Sequence, residues 1–172
     1  MERIGAYAFD HCSSLQRILG GDSIKQIGKY AFNEASSLSV FVIPEKLTTI
    51  EDGTFFKCTN LPISTLPNTI ERIGITAFYG CKLLSLSDLP TSLVKIGRSA
   101  FEDTGMKGTL IISDTIDEIG ESAFLGCRGI EELIIGDNVT EIQIGTFYGL
   151  RQLKKVKIGK GVVAIGSLDR KS

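Results

Sequence analysis

The 172 residues carry 19 basic and 20 acidic side chains, a formal net charge of −1, which gives no electrostatic reason to expect nucleic acid or an anionic membrane surface as partner. A chain of this length can bury a core and is ordinarily one domain. No apolar run could span a bilayer, and no basic n-region followed by an apolar h-region opens the chain, so no export signal is expected in the sequence as written.

In chain order the predicted elements are copies of one unit. Phe9, Phe32, Phe55, Phe78, Phe101, Phe124 and Phe147 stand 23 residues apart without a slip. Five residues before each of these anchors is an isoleucine: Ile4, Ile27, Ile50, Ile73, Ile96, Ile119 and Ile142. Four before it come Gly5, Gly28, Gly74, Gly97 and Gly120, with Glu51 and Gln143 as exceptions. Those two copies alone place glycine two before the anchor, at Gly53 and Gly145, as though one residue free of Cβ constraint had moved along a turn. The spacing GxxAFxxC predicts one short helical turn.

After the anchor each unit becomes strand-like. Leu15, Leu38, Leu61, Leu84, Ile130 and Leu153 stand six after it, broken by Lys107; Ile18, Phe41, Leu110, Leu133 and Val156 stand nine after it; Ile43, Leu66, Leu89, Ile112, Ile135 and Ile158 stand eleven after it. This alternation predicts a short strand with one buried face. Pro44, Pro67 and Pro90, or Ser113, Gly136 and Gly159, then end it in a turn. Such a unit cannot bury its apolar face alone, whereas stacked copies share a continuous core.

The pattern LxxIxIPxxLxxIGxxAFxxC, across Leu38 to Cys58 and Leu84 to Phe101, resembles the BspA-like (Treponema pallidum type) leucine-rich repeats. The match runs from residue 4 to residue 166 in seven in-register copies. The resemblance implies an α/β solenoid, a right-handed superhelix of about seven repeats with parallel strands and short helical turns. It also implies roles in adhesion and protein binding at bacterial cell surfaces, in secreted proteins and in protists. The consensus asparagine position holds Ser23, Lys46, Thr69, Ser92, Thr115, Asn138 and Gly161, so no buried asparagine ladder is expected. A single domain over 1–172 follows, with an incomplete eighth copy and tail over 162–172. The first copy begins midway and the last gives way to Ser167 through Ser172; either the array belongs to a longer chain, or a partner, a second copy joined end to end, or frayed ends cover the stack.

Candidate chemistry is thin. Cys12, Cys58, Cys81 and Cys127 share the column three after the anchor, contain no CxxC and follow the repeat, which argues against zinc and for buried free thiols. The one histidine, His11, has no second histidine, paired acid or nucleophile in a fixed arrangement, so no catalytic residue, cofactor or metal is assigned. Lys154, Lys155, Lys157 and Lys160 look like a basic patch, but Glu131 and Glu132 align with Lys154 and Lys155 one strand away, and lateral pairing explains most of it without nucleic acid. Asn138-Val-Thr140 fits a glycosylation sequon and equally the repeat's turn position.

The outward strand positions, eight and ten after each anchor, are the candidate partner-binding surface: Val40, Val42, Ile63, Leu86, Ile111 and Ile134. If they face solvent, they form an apolar patch of the kind that marks an interface. Alternatively β-branched residues merely favour strands, or Ile63 and Leu86 turn inward in place of Ser64 and Ser87. The expected function is a non-catalytic scaffold binding another protein. The alternative is a fragment of a surface adhesin recognising host, matrix or glycan ligands.

Overall fold

In the computed structural model, which describes residues 2–166, the chain winds into stacked coils of 23 residues whose strands pair in parallel. Coil one is residues 2–24, coil two 25–47, coil three 48–70, coil four 71–93, coil five 94–116, coil six 117–139 and coil seven 140–162. Two ladders of strands run along the stack. One contains the isoleucine column: β1 (Arg3–Ile4), β2 (Gln26–Ile27), β3 (Thr49–Ile50), β4 (Arg72–Ile73), β5 (Lys95–Ile96), β7 (Glu118–Ile119), β9 (Glu141–Ile142) and β11 (Ala164–Ile165). The other holds the longer strands β6 (Lys107–Ile112), β8 (Gly129–Ile135) and β10 (Lys155–Lys157), in the order β10-β8-β6.

The isoleucine ladder is in three pieces, β1-β2, β3-β4-β5-β7 and β9-β11. Its breaks fall where the glycine four before the anchor is replaced by Glu51 or Gln143. At Gly28, Gly74, Gly97 and Gly120 the amide donates to the isoleucine carbonyl of the preceding coil at 2.8 to 3.0 Å. A Cβ at Gly97 would meet Gly74 C at 2.6 Å and Ile75 N at 2.7 Å. Glycine is required there by the close approach of two backbones, and a side chain holds the coils too far apart for that bond. Gly53 and Gly145 answer a different need, because they have φ of 59° and 67°. The glycine has therefore not moved along the turn.

Phe32, Phe55, Phe78, Phe101 and Phe124 are fully buried, and each ring stacks on the next at 5.3 to 5.5 Å. The segment carrying them is not helical, and the described residues contain no helix. Left-handed residues stand two before and two after each anchor, as at Thr76 (φ 52°) and Gly80 (φ 71°), and break any helical run. Amides alternate instead between an i−3 carbonyl and the next coil: Tyr79 donates to Thr76, Phe78 to Ala100 and Gly80 to Glu102. The mixed column of His11, Glu34, Lys57, Gly80, Asp103, Gly126 and Gly149 is thus a left-handed column.

The strand side changes phase along the stack. In coils two, five and six the residues nine and eleven after the anchor point inward, as Phe41 with Ile43 and Leu110 with Ile112. In coils three and four the eighth residue is inward instead, Ile63 and Leu86 being 5% and 4% exposed, and Ser64, Thr65, Ser87 and Asp88 face out. A one-residue shift turns every side chain to the other face, so the ladder cannot run across the change. Lys107 is accommodated by a second slip. It pairs with Gly129 rather than Ile130, Gly108 absorbs the irregularity at φ 75°, and Met106 fills the core place.

Candidate interaction face

The six candidate residues do not form one patch. Ile63 and Leu86 are buried in the core, which overturns their assignment to the surface; serines at the ninth position of coils three and four were the signal of the phase change. Val40 and Val42 are exposed, Val42 at 81%, and lie beside coil one through the Arg17–Val40 bridge, where Leu19 is exposed as well. Ile111 and Ile134 are directly paired across β6 and β8, 47% exposed and half-buried respectively. The polar outward residues of coils three and four separate the two groups.

Around Ile111 and Ile134 the parallel register lines up two lateral rows. Thr109, Glu132 and Lys155 form one; Ile111, Ile134 and Lys157 form the other. Lys155 Nζ lies 2.7 Å from Glu132 Oε1, and Lys154 Nζ lies 2.8 Å from Glu131 Oε2. Two of the four clustered lysines are thereby paired across the sheet, in the register that the repeat dictates.

Charged side chains elsewhere follow the same rule. Lys25 pairs with Glu2, Lys29 with Asp52, Lys57 with Glu34 and Lys95 with Glu118, each 23 residues away. Beside the slip at Gly108, an open groove of about 900 Å³ is rimmed by Lys82, Lys107 and Arg128. Its carboxylates are engaged, Asp103 by Lys82 at 3.6 Å and Glu131 by Lys154. His11 is exposed, with Nδ1 2.7 Å from Asp10 Oδ1 and Nε2 3.4 Å from Glu34 Oε2. The Asp10 carboxyl is held below its ordinary value, chiefly by the hydrogen bond from Asn33. Among the described residues no three His, Cys, Asp or Glu side chains gather to hold a metal ion.

The cysteine column is structural in three of its four members. Cys58, Cys81 and Cys127 are free and buried, and each thiol donates to the anchor carbonyl of the preceding coil, Phe32, Phe55 and Phe101, at 3.0 to 3.1 Å. Burial pushes Cys58 up to about 12 and Cys127 up to about 11, and raises Cys81 as well, so these thiols stay protonated and unreactive. Cys12 departs from the expectation. It is exposed, because among the described residues no coil precedes its own to cover it. The turn column, in which position 138 alone is asparagine, bonds backward all the same: Thr69 donates to Leu47 O at 2.6 Å, Ser92 to Ile70 O at 2.8 Å and Asn138 to Asp114 O at 2.7 Å.

The BspA type leucine rich repeat region matches in 6 copies, over residues 1–107 and 63–168. In fold the chain is similar to the crystal structure of the Treponema pallidum leucine rich repeat protein, at 23% identity over 96% of this chain and 67% of that one, with a TM-score of 0.58. A leucine-rich repeat protein from Bacteroides ovatus is 24% identical over 100% of this chain and 68% of its own, with a TM-score of 0.41. A leucine rich cell surface protein from Faecalibacterium prausnitzii is 18% identical over 92% and 69%, with a TM-score of 0.44. No curated protein matches. With the family pattern present along nearly the whole chain and the same stacked architecture, this chain belongs to the BspA-type leucine-rich repeat family.

Proposed function

We propose that the chain is a non-catalytic binding module that holds another protein against the strand side of coils five to seven. The observation that carries this reading is the Ile111–Ile134 pair. Two partly exposed branched side chains lie side by side on a three-stranded sheet, bordered by Thr109, the Glu132–Lys155 ion pair and the Lys157 ammonium. An apolar centre with a charged rim is the anatomy of a protein interface. With Lys155 paired to Glu132, the Lys157 ammonium is the rim charge that favours an acidic residue on the partner beside an apolar anchor.

The test compares wild type with Ile111→Asp/Ile134→Asp and with Val40→Asp/Val42→Asp against a partner purified by affinity capture. Loss of binding in the first variant alone, with both unfolding at the wild-type temperature, supports the assignment. Equal binding by all three removes it.

A further inference from the structure

We infer that the boundary between coils two and three is a seam built into the array, the place at which the stack opens first. Three backbone hydrogen bonds cross it among the described residues: Tyr30 N–H to Asp52 O, Phe32 N–H to Thr54 O and Glu34 N–H to Phe56 O. All three belong to the phenylalanine turn. Both strand ladders are interrupted at this boundary, for unrelated reasons.

On the isoleucine side, Glu51 stands where a glycine amide would donate to the preceding isoleucine, and β2 and β3 do not pair. On the other side, coil two has Phe41 and Ile43 inward while coil three has Ile63 and Leu66 inward, so the alternation changes phase and no backbone bond joins 40–43 to 63–66. Each of the neighbouring boundaries keeps a ladder. Between coils three and four, Glu71 and Arg72 donate to Thr48 O, Gly74 to Ile50 O, Ser85 to Ile63 O and Ser87 to Ser64 O, in addition to the turn. Between coils one and two, Lys25 donates to Glu2 O, Gly28 to Ile4 O and Ile18 to Val40 O.

Side chains hold the seam closed. Phe41 tilts against both Phe32 and Phe55, at 5.2 and 5.8 Å, Cys58 donates to Phe32 O, and Thr69 donates to Leu47 O and Glu45 O. Lys57–Glu34 is a surface pair and contributes little, while Lys29–Asp52, with its carboxylate partly buried, adds one side-chain clasp across the seam. Local opening follows the boundary with the fewest cooperative backbone bonds, and here it would part coils one and two, as a unit, from the rest.

The three buried cysteines report on three different boundaries, since Cys58 touches coil two, Cys81 coil three and Cys127 coil five. In a Cys12→Ser background, a thiol-specific reagent should label Cys58 at least about tenfold faster than Cys81 or Cys127, a difference of about 1.4 kcal/mol in opening. Glu51→Gly, which restores the missing amide bond, should slow Cys58 selectively. Amide exchange read residue by residue gives a second measure on the unmutated protein. Phe32 should exchange faster than Phe55 and Phe78, whose turn bonds are equivalent, and faster than Phe9, which lies nearer the end of the stack. Equal labelling of the three thiols would overturn the seam, and so would exchange that slows steadily from Phe9 inward, the signature of simple end fraying.

Discussion

Lys29 Nζ lies 2.7 Å from Asp52 Oδ2, and the other oxygen of that carboxylate accepts the Ile75 amide at 2.9 Å, so one side chain clasps coils two, three and four. Partial burial raises the Asp52 carboxyl, but the hydrogen bonds from Lys29 and Ile75 and the charges of Lys29 and Arg72 outweigh it and hold the group below its ordinary value. The same hydrogen bond, with the nearby charges of Asp52, Glu51 and Tyr30, holds Lys29 above its own. A depressed acid contributes stability that is present above its unfolded value and lost as pH falls through the folded one. A raised base contributes stability that is present below its unfolded value and lost as pH rises through the folded one. The clasp is therefore complete across neutral pH and fades below about pH 4 and above about pH 10. Asp52→Asn should lower the unfolding temperature at pH 7 and flatten the acid limb of the stability profile. Parallel acid limbs for the two proteins would show that the clasp contributes nothing.

Phe78 is sealed between Phe55 and Phe101, both at 5.5 Å, and no other side chain can fill its place without the coils shifting. Phe78→Ala should cost about 3–5 kcal/mol in denaturant unfolding. Phe9, half-buried with one ring neighbour at 5.5 Å in its column, should cost clearly less on the same change. A cost of only a few tenths of a kcal/mol at Phe78 would contradict the stacked ladder.

Two backbone positions in coils four and five call for opposite substitutions. Gly97→Ala puts a Cβ into the backbone of the preceding coil and should destabilise by about 1–3 kcal/mol through overpacking. Thr76 is β-branched at φ 52°, a left-handed strain of about 1–2 kcal/mol, which glycine relieves at a cost of about 0.5–1 kcal/mol in unfolded-chain entropy. Thr76→Gly should thus be neutral to stabilising by up to about 1.5 kcal/mol. Thermal unfolding of the two variants in parallel gives the sign of each.

The anchors, the isoleucine column, the parallel strands and the lysine–glutamate pairs across the sheet were legible because each repeats at 23 residues, and repetition amplifies a weak local signal. Apolar spacing of three to four around each anchor predicts a helical turn but does not reveal φ; the recurrent glycines two after Phe78, Phe124 and Phe147 carry the left-handed signal. Asn138 being alone in its column hid the turn ladder, because threonine and serine at positions 69 and 92 make the same backward bond. The outward face was half legible. Counting from the anchor places Ile111 and Ile134 correctly but misplaces Ile63 and Leu86, where a serine at the ninth position competes with the eighth for the core and loses on burial of apolar area.

Leu86 and Val42 put that competition to a direct test, since both stand at outward positions by simple count. The structure buries Leu86 in coil four and leaves Val42 in solvent. Leu86→Asp places an unpaired carboxylate in the core and should cost more than about 3 kcal/mol, enough to unfold a marginal array. Val42→Asp should change stability by no more than about 0.5 kcal/mol, as surface substitutions usually do. Ser87→Ala, at the neighbouring outward position, should be equally mild. If Leu86→Asp is tolerated while Ser87→Ala destabilises, coil four keeps the phase of coil two, and the strand side is one continuous face rather than two.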